Sequence, residues 1–133
     1  MSAVFLDTVG LIALWVIADQ WHAAADTAFS NLITARRQIV TTRFVLLECG
    51  NFAARRPYRN RVSFLKSKLE QRGDLIAPSD EDWHAAWQAY ENGEAGQAGV
   101  VDHVSFVVMR RMGISEAFTN DQHYRAAGFA ILF

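Results

Sequence analysis

Five short apolar runs, each separated from the next by a helical stretch, constrain this chain more than any other feature. Ala3 to Leu6, Ile39-Val40-Thr41, Leu75-Ile76-Ala77, Ile114 to Thr119 and Phe129 to Phe133 read as strands. Runs this short, rich in β-branched and aromatic residues, fit buried strands better than helices. Val9 to Val16 reads as an apolar helix, and Trp21 to Arg37 follows a helical period with Asp19 as a candidate N-cap. Thr42 caps a helix running to about Arg55. Pro57 suits the first turn of the next helix, which Gly73 ends. Ser79, with Asp82 three residues on, resembles a capping box that opens a helix to about Tyr90. Asn92 to Gly99 is expected to be a loop. Asp102 to Met112 is a helix stopped by Gly113, and Asn120 caps a short helix ended by Gly128. Strands separated by helices imply an α/β fold with a parallel sheet covered on both faces.

Ligands bind such sheets beyond the carboxyl ends of the strands, and two acids stand there. Asp7 ends the run Val4-Phe5-Leu6, and Asp121 follows the strand candidate Ile114 to Thr119. Two more sit among apolar residues. Glu48 lies within Phe44-Val45-Leu46-Leu47-Glu48-Cys49, and Asp102 opens the apolar helix that continues from Val104. Phe44, Glu48 and Phe52 are spaced by four, so Glu48 is expected to point along an apolar stripe. Asp102 alone could be an N-cap, and Asp121 a first-turn helix acid. Carboxylates are rarely buried unless they are paired or bind a metal. Four that converge repel one another without a cation. Hard carboxylate oxygens suit Mg²⁺ or Mn²⁺ rather than Zn²⁺. Such an ion can activate water and stabilise charge on a phosphoryl oxygen, so phosphodiester hydrolysis follows as the expected chemistry.

With 133 residues, half of them hydrophobic, the chain is one domain with a real core. Its net charge of −1 implies neither a polyanion binder nor an acidic tail. Arg55, Arg56, Arg59, Arg61, Lys66 and Lys68 nonetheless form a local basic segment with no acid among them. It could hold a phosphate backbone, or be a solvated helix face. The single Cys49 cannot form an internal disulfide and reads as a small buried hydrophobe. No apolar run approaches the ~20 residues needed to cross a bilayer, and no signal peptide is visible. A cytoplasmic location without membrane contact is therefore expected.

At this point the chain resembles the PIN-domain ribonucleases, and specifically the VapC-type toxins of bacterial toxin–antitoxin pairs. Four stretches carry the resemblance: Val4-Phe5-Leu6-Asp7-Thr8, Leu46-Leu47-Glu48-Cys49-Gly50-Asn51, Val101 to Met109 with Asp102, and Phe118 to Tyr124 with Asp121. They occur in the family's order and spacing and span nearly the whole chain. The resemblance implies a three-layer α/β/α domain with a central parallel sheet. It implies Mg²⁺- or Mn²⁺-dependent endonuclease cleavage of RNA, a homodimer, and inhibition by a cognate VapB-like antitoxin. Asp7, Glu48, Asp102 and Asp121 would be the metal ligands. Thr8 and Thr119 flank two of them and could position water or a ligand carboxylate. Two departures stand out. Val9 occupies a position where the family often has Ser or Asn, and the segment Gly93 to Val100 lacks the Trp-Ser-Leu-Thr run often seen before the third acid.

Other chemistries find less support. His22, His84, His103 and His123 form no His-x-x-x-His pair, which disfavours zinc. His103 and His123 neighbour site acids and could touch substrate or serve an ordinary polar role. Trp83 and Trp87 could stack a base, but core packing beside Tyr90 is the expected use. An aspartyl-phosphate phosphatase would want a second Asp where Val9 stands. No serine-hydrolase elbow, phosphate-binding P-loop or dinucleotide fingerprint is present. A PIN-like module that binds RNA or antitoxin without catalysis is the alternative to the nuclease.

Overall fold

The computed structural model describes residues 2–133. Its five strands are β1 (Val4–Leu6), β2 (Ile39–Thr42), β3 (Leu75–Ile76), β4 (Glu116–Phe118) and β5 (Ala130–Ile131). All pair in parallel, in the order β3-β2-β1-β4-β5. Val4 stands opposite both Ile39 and Glu116, which makes β1 the centre of the sheet. Its three residues are fully buried, as a strand covered on both faces requires. The Thr41 hydroxyl donates to the Leu6 carbonyl at 2.6 Å, tying the carboxyl ends of β1 and β2 together.

The chain first winds one way, through α1 (Thr8–Trp15), α2 (His22–Thr34), α3 (Arg43–Ala53) and α4 (Arg59–Arg72). After β3 it crosses to the far side of β1 through α5 (Asp80–Glu91), the short turn α6 (Glu94–Gln97) and α7 (Val100–Met112), and α8 (Gln122–Ala126) links β4 to β5. The first four helices pack with one another, and α5 packs on α7 with α6 and α8 beside it. The result is a three-layer α/β/α domain. Strand order reverses between β1 and β4, so a crevice opens there at the carboxyl edge of the sheet.

Several local features follow directly from residue chemistry. Thr42 caps α3 by accepting from the Val45 amide, and Ser79 and Asp82 form the reciprocal capping box of α5. Gly73 and Gly113 end α4 and α7 at φ of 72° and 70°, left-handed conformations that glycine adopts without a Cβ penalty. Gly10 is required by space: a Cβ there would sit 2.0 Å from the Phe118 carbonyl oxygen. Its absence lets α1 lie against the end of β4.

Some sequence expectations are corrected. Asp121, not Asn120, caps α8, because its carboxylate reaches the His123 amide. Gly99 precedes α7, so Asp102 sits inside the first turn and is not an N-cap. The 92–99 loop contains α6, held with Ala95 and Gly96 at positive φ. Pro57 lies just ahead of α4 rather than in its first turn. Trp83 and Tyr90 are each nearly half exposed and flank Trp87 in an edge-to-face aromatic row along α5, with Phe44 of α3 tilted against Trp83, rather than lying in the core. Among the described residues, no helix is long and apolar enough to cross a membrane.

Candidate active site

The four acids reach the crevice from four different elements. Asp7 leaves β1 as the N-cap of α1 and is 2% exposed. Both of its oxygens are held: Thr119 Oγ1 donates to Oδ2 at 2.8 Å and the Tyr124 hydroxyl to Oδ1 at 2.8 Å. Burial pushes its carboxyl up to about 6, against those hydrogen bonds, and the neighbouring charge of Asp121 adds to the rise. Asp102 reaches in from the first turn of α7. Burial, then the charges of Asp7, Asp121 and Glu48, push it up to about 7. That response places Asp7, Asp121 and Glu48 each within electrostatic reach of Asp102.

Glu48 projects from α3 and is more exposed than its apolar neighbours suggest, so it does not lie along a buried stripe. The Thr8 hydroxyl fixes it, donating to Oε1 at 2.6 Å. Thr119 works twice, because its Oγ1 also accepts from the Asp121 amide at 3.0 Å while holding Asp7. The two threonines next to acids thus orient carboxylates across the chain, Thr8 toward Glu48 and Thr119 toward Asp7. Cys49 is buried beside them, and burial together with the Asp7 charge pushes its thiol up to about 12, which leaves it unreactive.

Two residues of α8 complete the cluster. Tyr124 is fully buried, and burial beside Asp7 raises its phenol well above the ordinary range, so it is a permanent donor to Asp7. Nothing in the sequence aims that hydroxyl at a strand more than a hundred residues earlier; only its place in the fourth acidic stretch hinted at it. His123 Nδ1 lies 2.8 Å from Asp121 Oδ1. Ligand atoms of Asp102, Asp121 and His123 all lie within 4.8 Å of one another.

The donor set fits a divalent cation. Among the described residues, no protein group donates a hydrogen bond to Asp102, although three carboxylates crowd it. A partly buried carboxylate so placed needs either a proton or a cation. Asp102 and Asp121 could hold the ion, with Glu48 and Asp7 beside them. The four arginines of the basic segment stand apart. Arg56 stacks 4.0 Å over the Phe52 ring, and no hydrogen bond or ion pair joins Arg55, Arg56, Arg59 or Arg61 to the acids among the described residues.

A PIN-domain family model matches residues 4–130. The chain belongs to the PIN-domain family. VapC20 of Mycobacterium tuberculosis, named a 23S rRNA-specific endonuclease, is 27% identical over 131 residues in both the CDC 1551 and H37Rv strains, covering 95% of each chain. The crystal structure of that organism's VapC20, described as a sarcin–ricin-loop-cleaving toxin, aligns with a TM-score of 0.76 at 25% identity. It covers 96% of this chain and 97% of its own. Over nearly its whole length this PIN domain is accordingly similar to a VapC-type toxin. FitAcB from Neisseria gonorrhoeae, with a TM-score of 0.66 at 15% identity, shares the fold over 98% of this chain and 96% of its own.

Proposed function

We propose that this protein is a Mg²⁺- or Mn²⁺-dependent endoribonuclease, the cytoplasmic toxin of a toxin–antitoxin pair, acting as a homodimer and restrained by a VapB-like antitoxin. The convergence of Asp7, Glu48, Asp102 and Asp121 at the strand-order reversal supports this reading most strongly. Like charges are gathered there with too few protein donors to neutralise them. A bound divalent ion would supply Lewis acidity toward water and a phosphoryl oxygen.

The chain's own residues do the positioning. Asp102, in the first turn of α7, and Asp121, the N-cap of α8, would hold the ion. Asp7 is locked in one rotamer by Tyr124 and Thr119, so it presents fixed negative charge at the base of the crevice. Thr8 holds Glu48 at the opposite wall. Such preorganisation removes the reorganisation that solvent would otherwise undergo during phosphoryl transfer. Arg55, Arg56, Arg59 and Arg61 are exposed and would meet the RNA backbone, giving affinity without base selectivity.

The VapC20 relatives make ribosomal RNA, at the sarcin–ricin loop, the first substrate to try. A synthetic stem-loop of that sequence and its DNA counterpart, each incubated with Mn²⁺, Mg²⁺ or EDTA, test the reading. Cleavage of RNA alone, and only with metal, is expected. Cleavage that ignores EDTA, or that prefers DNA, would overturn it.

A further inference from the structure

His123 is the one nitrogen base in an otherwise all-oxygen cluster, and its placement is tight. Its Nδ1 lies 2.8 Å from Asp121 Oδ1, and its backbone amide donates to the same oxygen at 2.9 Å. The α6 turn closes over the other side of the ring. A Cβ on Gly96 would sit in ordinary van der Waals contact, 3.7 Å from His123 Cδ2, so the turn lies alongside that edge of the imidazole. The side chain is 43% exposed, leaving the ring accessible to a ligand.

Donor spacing is informative. Adjacent donors on one octahedral ion with bonds of about 2.1 Å lie about 3 Å apart, and opposite donors about 4.2 Å apart. The 2.8 Å spacing of His123 and Asp121, a hydrogen-bond distance, is also that of an adjacent pair, and Asp102 offers a third ligand atom within 4.8 Å of both. Magnesium favours oxygen ligands and retains water, whereas imidazole nitrogen suits first-row transition ions.

We propose that a ring nitrogen of His123 is a direct metal donor in this site, giving it a preference for Mn²⁺ over Mg²⁺. This rests on the metal-dependent reading above and goes further by naming a ligand and an ion class. A merely substrate-facing histidine would leave metal affinity and the spectrum of the bound ion untouched.

The test is electron spin-echo spectroscopy of purified protein loaded with Mn²⁺, alongside titration of Mn²⁺ and Mg²⁺ by calorimetry. Wild type should show ¹⁴N modulation that converts to ¹⁵N modulation when the protein is grown with ¹⁵N-histidine. In His123→Gln the modulation should vanish, and Mn²⁺ affinity should fall on the order of tenfold with Mg²⁺ affinity changed much less. The isotope arm needs no variant, so it stands even if His123→Gln folds poorly. Tight Mn²⁺ binding without nitrogen modulation in wild type would overturn the His123 assignment and leave the nuclease reading intact. Nitrogen modulation that persists in His123→Gln would also overturn it. Failure of wild type to bind either ion would overturn both.

Discussion

Removing the charge of Asp102 should make this protein more stable, not less. Burial and three neighbouring carboxylates move its carboxyl from 3.8 up to about 7. Between those values the native state holds a proton that the unfolded chain has released, so stability falls as pH rises through that window. At about 1.4 kcal/mol per tenfold change in acidity, the ceiling is about 4 kcal/mol once the group is fully ionised. Asp102 is only partly buried, and solvent screening reduces the expected effect to about 2 kcal/mol. Asp102→Asn keeps the shape and deletes the charge. With divalent ions chelated, urea unfolding should find the variant more stable than wild type by about 2 kcal/mol near pH 8, with the gap closing toward pH 4. Saturating Mn²⁺ should then stabilise wild type and leave the variant nearly unmoved. A variant no more stable than wild type at pH 8 would show that the acids do not crowd one another in the folded state.

Three further outcomes are expected. Arg111→Met strands the buried Asp82, which accepts from Arg111 Nε and Nη2 at 3.1 and 2.8 Å, and should lower stability by about 2 kcal/mol near neutrality. Because Arg111 holds the Asp82 carboxyl below its ordinary range, that loss should shrink as pH drops through the folded value, and unfolding curves in acid would reveal a constant gap if the pair is not the cause. Tyr124→Phe leaves Asp7 Oδ1 without its donor, at roughly 1–3 kcal/mol; single-turnover cleavage should fall on the order of tenfold, and unchanged rates would remove Tyr124 from the site. Gly10→Ala drives a Cβ into the Phe118 backbone and should destabilise by roughly 3 kcal/mol, so a thermal midpoint close to wild type would mean that α1 and β4 are less closely apposed.

Much of this was legible in the sequence, and the reasons are physical. The strands Val4–Leu6 and Ile39–Thr42 announce themselves because central parallel strands are buried on both faces and so read as continuous apolar runs. Capping is local, so Thr42 and the Ser79–Asp82 pair could be read directly. The same locality misled at Asn120: its neighbour Asp121 is an equally good cap, and the Thr119 hydroxyl, by holding the Asp121 amide, selects it. Glu48 was placed by period on an apolar face, but the crevice beside that face is open to solvent. The links that fix the site run between distant parts of the chain, Tyr124 to Asp7 and Thr8 to Glu48, and no single-sequence pattern encodes them. Trp83 and Trp87 were expected to pack in the core beside Tyr90 because aromatics at helical spacing usually do; here Trp83 and Tyr90 are nearly half exposed and flank Trp87 along the surface of α5.

The most direct test is cleavage of total cellular RNA by the purified, antitoxin-free protein with Mg²⁺, Mn²⁺ or EDTA, run beside Asp102→Asn. Discrete products that require both the metal and the Asp102 carboxylate, with ends that map to one site, are the predicted result. Products that persist in EDTA or in Asp102→Asn, or a wild-type protein that neither binds metal nor cuts RNA, would contradict the assignment of the four acids to a metal-dependent ribonuclease site.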